Sequence, residues 1–134
     1  VLEKNPETVK IVFKNFPIRS HKFAIQAAAA ALAAGRQEKF WGFHDELFKN
    51  YNRLNEEKIQ EIATKLKLDQ AQFEKDRKDP LLMEQIKYDY NEGIRIGVRS
   101  VPSVFVNGRK LKDRSLKGFQ ALIDKELESL KQKK

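Results

Sequence analysis

Gly97-Val98-Arg99-Ser100-Val101-Pro102-Ser103-Val104-Phe105-Val106-Asn107-Gly108-Arg109-Lys110-Leu111 is the stretch whose reading decides the fold. Val104 to Val106 is a short β-branched and aromatic run. Asn107-Gly108 supplies two residues that tolerate the positive φ values of a type I′ turn, and Arg109 to Leu111 returns as the antiparallel partner. The spacing predicts a hairpin. Gly97 is placed to end a preceding helix in the left-handed conformation, and Pro102 holds a turn immediately before the first strand. Sequence leaves the isomer of the Val101–Pro102 bond open, because a tertiary amide cuts the preference for trans to a small margin.

Working outward, the 134 residues (15.6 kDa) fit one domain with a core of its own. No apolar run reaches the roughly 20 residues of a membrane span. The formal charge is +8, from 27 basic and 19 acidic residues. Most of that charge is interleaved, as in Glu56-Glu57-Lys58 and Glu74-Lys75-Asp76-Arg77-Lys78, which describes solvated helix faces. Only the tail from Lys131 to Lys134 is a like-charged cluster. No module of aromatic and basic residues for RNA or DNA is present, so nucleic acid is not an expected partner. There is no cysteine. These residues therefore form no disulfide, thiolate metal site or nucleophilic thiol, and cysteine usage gives no reading of the redox compartment. A start at Val1, with no signal peptide, leads us to expect a processed or truncated product.

Taken in order, Val1 to Asn5 reads as the last turn of a helix, stopped by Asn5 and Pro6. Thr8 to Phe13 is apolar on both faces and predicts a strand buried in a helix-covered sheet, broken by Asn15-Phe16-Pro17. Ser20 is an N-cap for a buried alanine-rich helix running through Ala34, with Gly35 at its end. Arg36 to Tyr51 predicts a helix whose core face is Phe40, Trp41, His44, Leu47, Phe48 and Tyr51. His21, in the first turn of the alanine-rich helix, has no partner ligands at helical spacing, so no metal or catalytic role is expected of it, and His44 is read as a core hydrogen-bonding residue and not a catalytic one. Asn55 begins a helix with the stripe Ile59, Ile62, Ala63 and Leu66, and a short one restarts at Leu68-Asp69, anchored by Phe73. Asp79-Pro80 opens a long helix toward Gly97, and Ser115 caps a last one with Leu116, Phe119, Leu122, Ile123, Leu127 and Leu130 on one side.

Several of these stretches together carry a resemblance. Gly-Val-X-X-X-Pro-Ser at Gly97–Ser103, the apolar strand with Asn107-Gly108 and the closing helix resemble the C-terminal end of the DsbA-like thioredoxin-fold proteins. Phe16-Pro17-Ile18 after the first strand, and Phe40-Trp41-X-X-His44-Asp45-X-Leu47-Phe48, are similar to the same family. The resemblance implies an α/β thioredoxin-like fold with a helical insertion, its N-terminal strand and active-site helix missing from these residues. The thioredoxin part would be 1–19 and 98–134, and the insertion 20–97. It also implies protein disulfide oxidoreductase activity, in which a cis proline faces a Cys-X-X-Cys pair. Lacking cysteine, the chain is expected to be redox-inactive as it stands, with no catalytic residue, metal or cofactor of its own.

Ser100, Val101 and Pro102 would then serve as the substrate-binding loop, the Val101 backbone pairing with an extended peptide or protein substrate. Periplasmic or other extracytoplasmic residence is implied by the resemblance alone. Two alternatives stand beside the oxidoreductase reading. One is a cysteine-free peptide-binding or chaperone-like module that uses the Val101-Pro102 edge and an apolar helical face. The other is glutathione-linked chemistry on a similar fold. In the family the missing strand lies between Thr8–Phe13 and Ser103–Val106. These two strands are therefore expected either to pair directly or to recruit a second copy as a homodimer by strand exchange.

Overall fold

The computed structural model describes residues 1–18 and 23–132. Its elements are a 3₁₀ turn (Leu2–Lys4), α1 (Ala24–Gly35), α2 (Phe40–Lys49), α3 (Glu56–Lys65), α4 (Gln70–Arg77), α5 (Pro80–Arg95), β1 (Phe105–Val106), β2 (Arg109–Lys110) and α6 (Leu116–Gln132). They fall into two compact units, Lys14–Gly97 and Val1–Phe13 with Val98–Lys134.

The helical unit is built on α1. Ala30, Ala33 and Ala34 are fully buried and Ala27, Ala29 and Ala31 nearly so, and α1 touches α2, α3, α4 and α5. A methyl side chain lets neighbouring backbones come close, so larger groups on those helices fill the space between. Phe43 of α2, Ile59 of α3 and Phe73 of α4 have no exposed surface, and the Phe43 and Phe73 rings meet at 5.7 Å. Local sequence starts α3, α4 and α5: Asn55 Oδ1 accepts from Lys58 N–H at 2.7 Å, Asp69 Oδ1 from Gln72 N–H at 3.0 Å, and Asp79 Oδ1 from Leu81 N–H at 2.9 Å with Pro80 in the first turn. Polar ties add to this packing. Arg36 Nη1, just past α1, donates to Asp76 at 3.0 Å and Asp79 at 2.8 Å. Arg77 of α4 holds Glu56 of α3 through two bonds of 2.6 and 2.8 Å. Buried Asp89 of α5 accepts from Asn15 N–H at 3.0 Å, Asn15 Nδ2 at 3.1 Å and Gln85 Nε2 at 2.8 Å.

Two readings in this unit need correcting or bounding. The core face of α2 is not the whole aromatic stripe. Phe43 and Glu46 are the buried residues, Phe40 and Leu47 pack against the core, and Trp41, Phe48 and Tyr51 are 50%, 64% and 76% exposed. A helix can bury only about a third of its circumference against one layer. That arc is fixed here by Phe43 against Phe73 and by Glu46 Oε1 accepting from Lys65 of α3 at 2.9 Å. The helix also stops at Lys49, leaving Tyr51 beyond its end. Ser20, expected to cap α1, and His21 lie outside the described residues.

In the other unit the hairpin forms with the predicted turn. Phe105 pairs with Lys110 and Val106 with Arg109, Asn107 and Gly108 sit at φ 49° and 83°, and Leu111 N–H donates to the Val104 carbonyl at 2.8 Å. Gly97, at φ 93°, ends the preceding helix as expected. Ser115 Oγ accepts from Gly118 N–H at 3.1 Å, and Asp113 Oδ1 accepts from Ser115 N–H at 3.0 Å, which together begin α6. The α6 turn closes so tightly on Asp113 that a Cβ at Gly118 would lie 2.1 Å from the Asp113 carbonyl oxygen. Asn5, buried beside the N-terminal 3₁₀ turn, exchanges amide hydrogen bonds of 2.8 and 3.0 Å with Gln120 of α6.

Thr8–Phe13 does not form the predicted strand. Among the described residues the sheet holds β1 and β2 alone, so direct pairing with Ser103–Val106 is also absent there, and Ile11, Val12 and Phe13 are 49%, 60% and 39% exposed. Strand preference expresses packing against neighbouring strands, and a β-branched run without an adjacent edge has nothing to express it on.

Replacing Gly118 with alanine should destabilise the fold, although alanine is favoured over glycine in a helix interior by about 1 kcal/mol. Overlap with backbone costs more, about 1–3 kcal/mol; a thermal or urea melt with an unchanged midpoint would show that the Asp113 turn yields freely. A pH series tests the α1–α5 tie. The Leu81 N–H, followed by the Arg36 guanidinium, holds the Asp79 carboxyl below its usual range. Its contribution is thus complete above the ordinary aspartate value of about 3.9 and lost as pH falls through the lower folded value. Asp79→Asn should be less stable at neutral pH and lose less stability between neutral and acid pH than the parent.

Candidate functional site

Ser100, Val101 and Pro102 form an exposed loop between Gly97 and β1. The Val101–Pro102 peptide bond is cis. Two hydrogen bonds give the loop its shape: Ser103 Oγ donates to the Ser100 carbonyl at 2.7 Å, and Arg114 Nη1 donates to the Pro102 carbonyl at 2.8 Å. Both carbonyls flanking Val101 are therefore occupied. Val101 itself is 46% exposed. Among the described residues, neither its N–H nor its carbonyl takes part in a hydrogen bond. A residue with an exposed side chain and both backbone groups open is a one-residue strand edge, the smallest unit to which an extended polypeptide can add by backbone pairing.

Basic side chains are frequent in the sequence on either side of this edge, and Arg114 reaches it through the Pro102 carbonyl. Arg99, Lys110, Lys112, Arg114 and Lys117 are all exposed. The acid among them, Asp113, accepts from Ser115, whose hydroxyl and N–H hold its carboxyl below the usual range. Arg109 Nε lies 2.7 Å from Glu126 Oε1, an ion pair that fastens β2 to α6.

A second surface, in the helical unit, comes from the α2 stripe that the sequence reading placed in the core. His44 lies with its ring 5.2 Å from Trp41 and 4.6 Å from Phe48, and its Nδ1 is 3.2 Å from Asp45 Oδ1. Periodicity alone could not distinguish this surface, because a buried stripe and an exposed one share the same spacing. Arg114 was missed for a different reason: its target, the Pro102 carbonyl, is a backbone atom twelve residues away, and no motif marks it. Among the described residues no three His, Cys, Asp or Glu side chains gather as metal ligands, and no helix is long and apolar enough to cross a membrane.

Residues 1–125 match the family model described as Thioredoxin. The chain is 33% identical over 127 residues to a probable disulfide bond formation protein D of Bacillus anthracis, and 35% identical over 128 residues to that of Bacillus cereus. Each match covers 89% of this chain and 58% of the relative, so the chain spans a little over half the length of these curated relatives. It is also 29% identical over 106 residues to a Na(+)/H(+) antiporter NhaA of Herminiimonas arsenicoxydans, a match confined to 17% of that protein and 79% of this chain. No solved structure matches. What the chain shares with the antiporter is a short module of a much longer polypeptide.

Proposed function

The chain belongs to the DsbA-like thioredoxin-fold family, and from that premise we propose that these residues are the polypeptide-holding part of a protein disulfide oxidoreductase. The observation that carries the reading is the open backbone of Val101 in a loop whose flanking carbonyls are both tied down. In thiol–disulfide exchange a thiolate attacks one sulfur of a disulfide, the S–S bond breaks, and the other sulfur leaves as a thiolate. These residues have no cysteine and supply none of the reacting atoms. Their part is to align the substrate: Ser100 and Pro102 frame the loop, and Val101 pairs with the extended chain that carries the disulfide. Orientation of this kind turns an encounter into an effectively intramolecular reaction.

Residues 1–19 and 98–134 are assigned to the thioredoxin part and 20–97 to a helical insertion, a division supported by the separate packing of Lys14–Gly97. Residence outside the cytoplasm follows from the proposed chemistry, since disulfides persist in oxidising compartments. Homodimer formation by strand exchange is supported by the exposure of the apolar Ile11 and Val12 side chains, 49% and 60%. A second reading, a cysteine-free chaperone-like module, is favoured by the exposed Trp41, Phe48 and Tyr51 side chains, which offer apolar contact to unfolded polypeptide.

Amide chemical shifts during titration with an extended cysteine-free peptide test the common core of both readings. Ser100, Val101 and the amides of Ser103 to Val106 should move first and most; shifts that avoid this loop would overturn the assignment. Intact mass of the native protein, with the coding region upstream of the Val1 codon, separates the two readings. A Cys-X-X-Cys segment there supports the oxidoreductase, and its absence supports the chaperone-like module.

A further inference from the structure

Charge is unevenly divided between the two units. The hairpin unit carries twelve Lys and Arg against six Asp and Glu, whereas the helical unit carries fifteen against thirteen. Within the hairpin unit the imbalance is steepest around the loop itself. From Val98 to Gly118 the cations are Arg99, Arg109, Lys110, Lys112, Arg114 and Lys117, and the acid is Asp113.

Two of these seven charges are already committed, Asp113 to the Ser115 N–H and Arg109 to Glu126. Among the described residues the other five make no ion pair. Arg114 is the informative one. One of its guanidinium nitrogens is fixed on the Pro102 carbonyl at 2.8 Å, so the group is held at the loop instead of sweeping through solvent. A guanidinium has five N–H donors in a rigid fork that matches a carboxylate. Successive residues of an extended chain are about 3.4 Å apart, so a chain paired with Val101 would carry its neighbouring side chains past this fork. Nucleic acid is the poorer fit, because no exposed aromatic from Val98 to Gly118 provides a stacking platform for bases.

We propose that the Ser100–Pro102 loop selects extended polypeptide segments bearing Asp or Glu next to the residue that pairs with Val101. Arg114 receives the carboxylate, and Arg99, Lys110, Lys112 and Lys117 form a basic rim. This rests on the polypeptide-holding reading and adds the class of segment held. Cations around a binding edge raise the rate of encounter with acidic partners and discriminate against basic ones, with a preference that weakens as salt shortens the screening length.

Fluorescence anisotropy on the full-length protein, with three labelled cysteine-free peptides of equal length that differ only in two central residues (Asp, Asn or Lys), tests this. At low salt the Asp peptide should bind about tenfold tighter than the Asn peptide, the effect of one charge-assisted contact. The Lys peptide should bind more weakly than either, and the spread should shrink at high salt. Arg114→Gln combined with Lys112→Gln should bring the Asp-to-Asn ratio close to one. Lys112→Glu with Lys117→Glu, which leaves the Arg114–Pro102 bond in place, should weaken binding of the Asp peptide more than that of the Asn peptide and so lower the ratio without disturbing the loop. Equal binding of the Asp and Asn peptides overturns the acidic preference and leaves the polypeptide-holding reading standing, whereas no binding of any peptide removes both. Tighter capture of duplex DNA or of anionic phospholipid vesicles, lost in the same variants, would overturn the assigned occupant.

Discussion

The methyl surface of α1 sets the dimensions of the helical unit. Six alanines with almost no exposure present little more than backbone to α2, α3, α4 and α5, and a helix so narrow can be approached from several sides at once. Alanine contributes little hydrophobic free energy by itself. Energy comes from what the close approach allows the neighbours to bury, namely Phe43, Ile59, Phe73 and Leu82, each worth about 1.5–3 kcal/mol on removal from water. Geometry and energy are thus supplied by different helices. Charged ties lie at the margins of this arrangement, where Arg36 and Arg77 retain partial contact with water and their carboxylate partners need not be fully desolvated.

The hairpin unit has no comparable core. Two paired positions in β1 and β2 are too few to persist alone, and what steadies them is a set of polar contacts reaching outward: Leu111 to Val104, Arg109 to Glu126, Arg114 to Pro102. The loop is therefore shaped by side chains that come after it in the chain. The loop has the Ser100 and Pro102 carbonyls hydrogen-bonded and the Val101 backbone left open, the feature on which the proposed pairing with an extended chain rests.

Much of the fold was legible wherever the determining chemistry is local. Asn107-Gly108 specifies its turn through positive φ, Gly97 its helix end, and Asn55, Asp69, Asp79-Pro80 and Ser115 their helix starts, because each acts on backbone groups within three residues. Legibility failed where the deciding partner is distant. Thr8–Phe13 has the composition of a strand but does not join the β1–β2 sheet, and Trp41 and Phe48 of α2 have core spacing but are half or more exposed, while Phe43 takes the place against Phe73. For the candidate site, the resemblance located Ser100, Val101 and Pro102, while Arg114 became visible only through a contact that spans twelve residues.

The Asn107-Gly108 turn has a consequence for how long the molecule keeps its covalent structure. A glycine after asparagine leaves the peptide nitrogen unshielded, so that nitrogen can attack the asparagine side-chain amide, expel ammonia and leave an aspartate or isoaspartate behind; asparagine is counted among the heat-labile residues for this kind of reason. Both residues are exposed at the tip of the hairpin. Deamidation there would place a negative charge two residues from Arg109 and three from Lys110. An isoaspartate would lengthen the backbone by one carbon at a position that requires φ 49°. The dipeptide that makes the hairpin easy to fold is thus also the place where this protein would age, through a slow loss of positive charge beside its most basic surface.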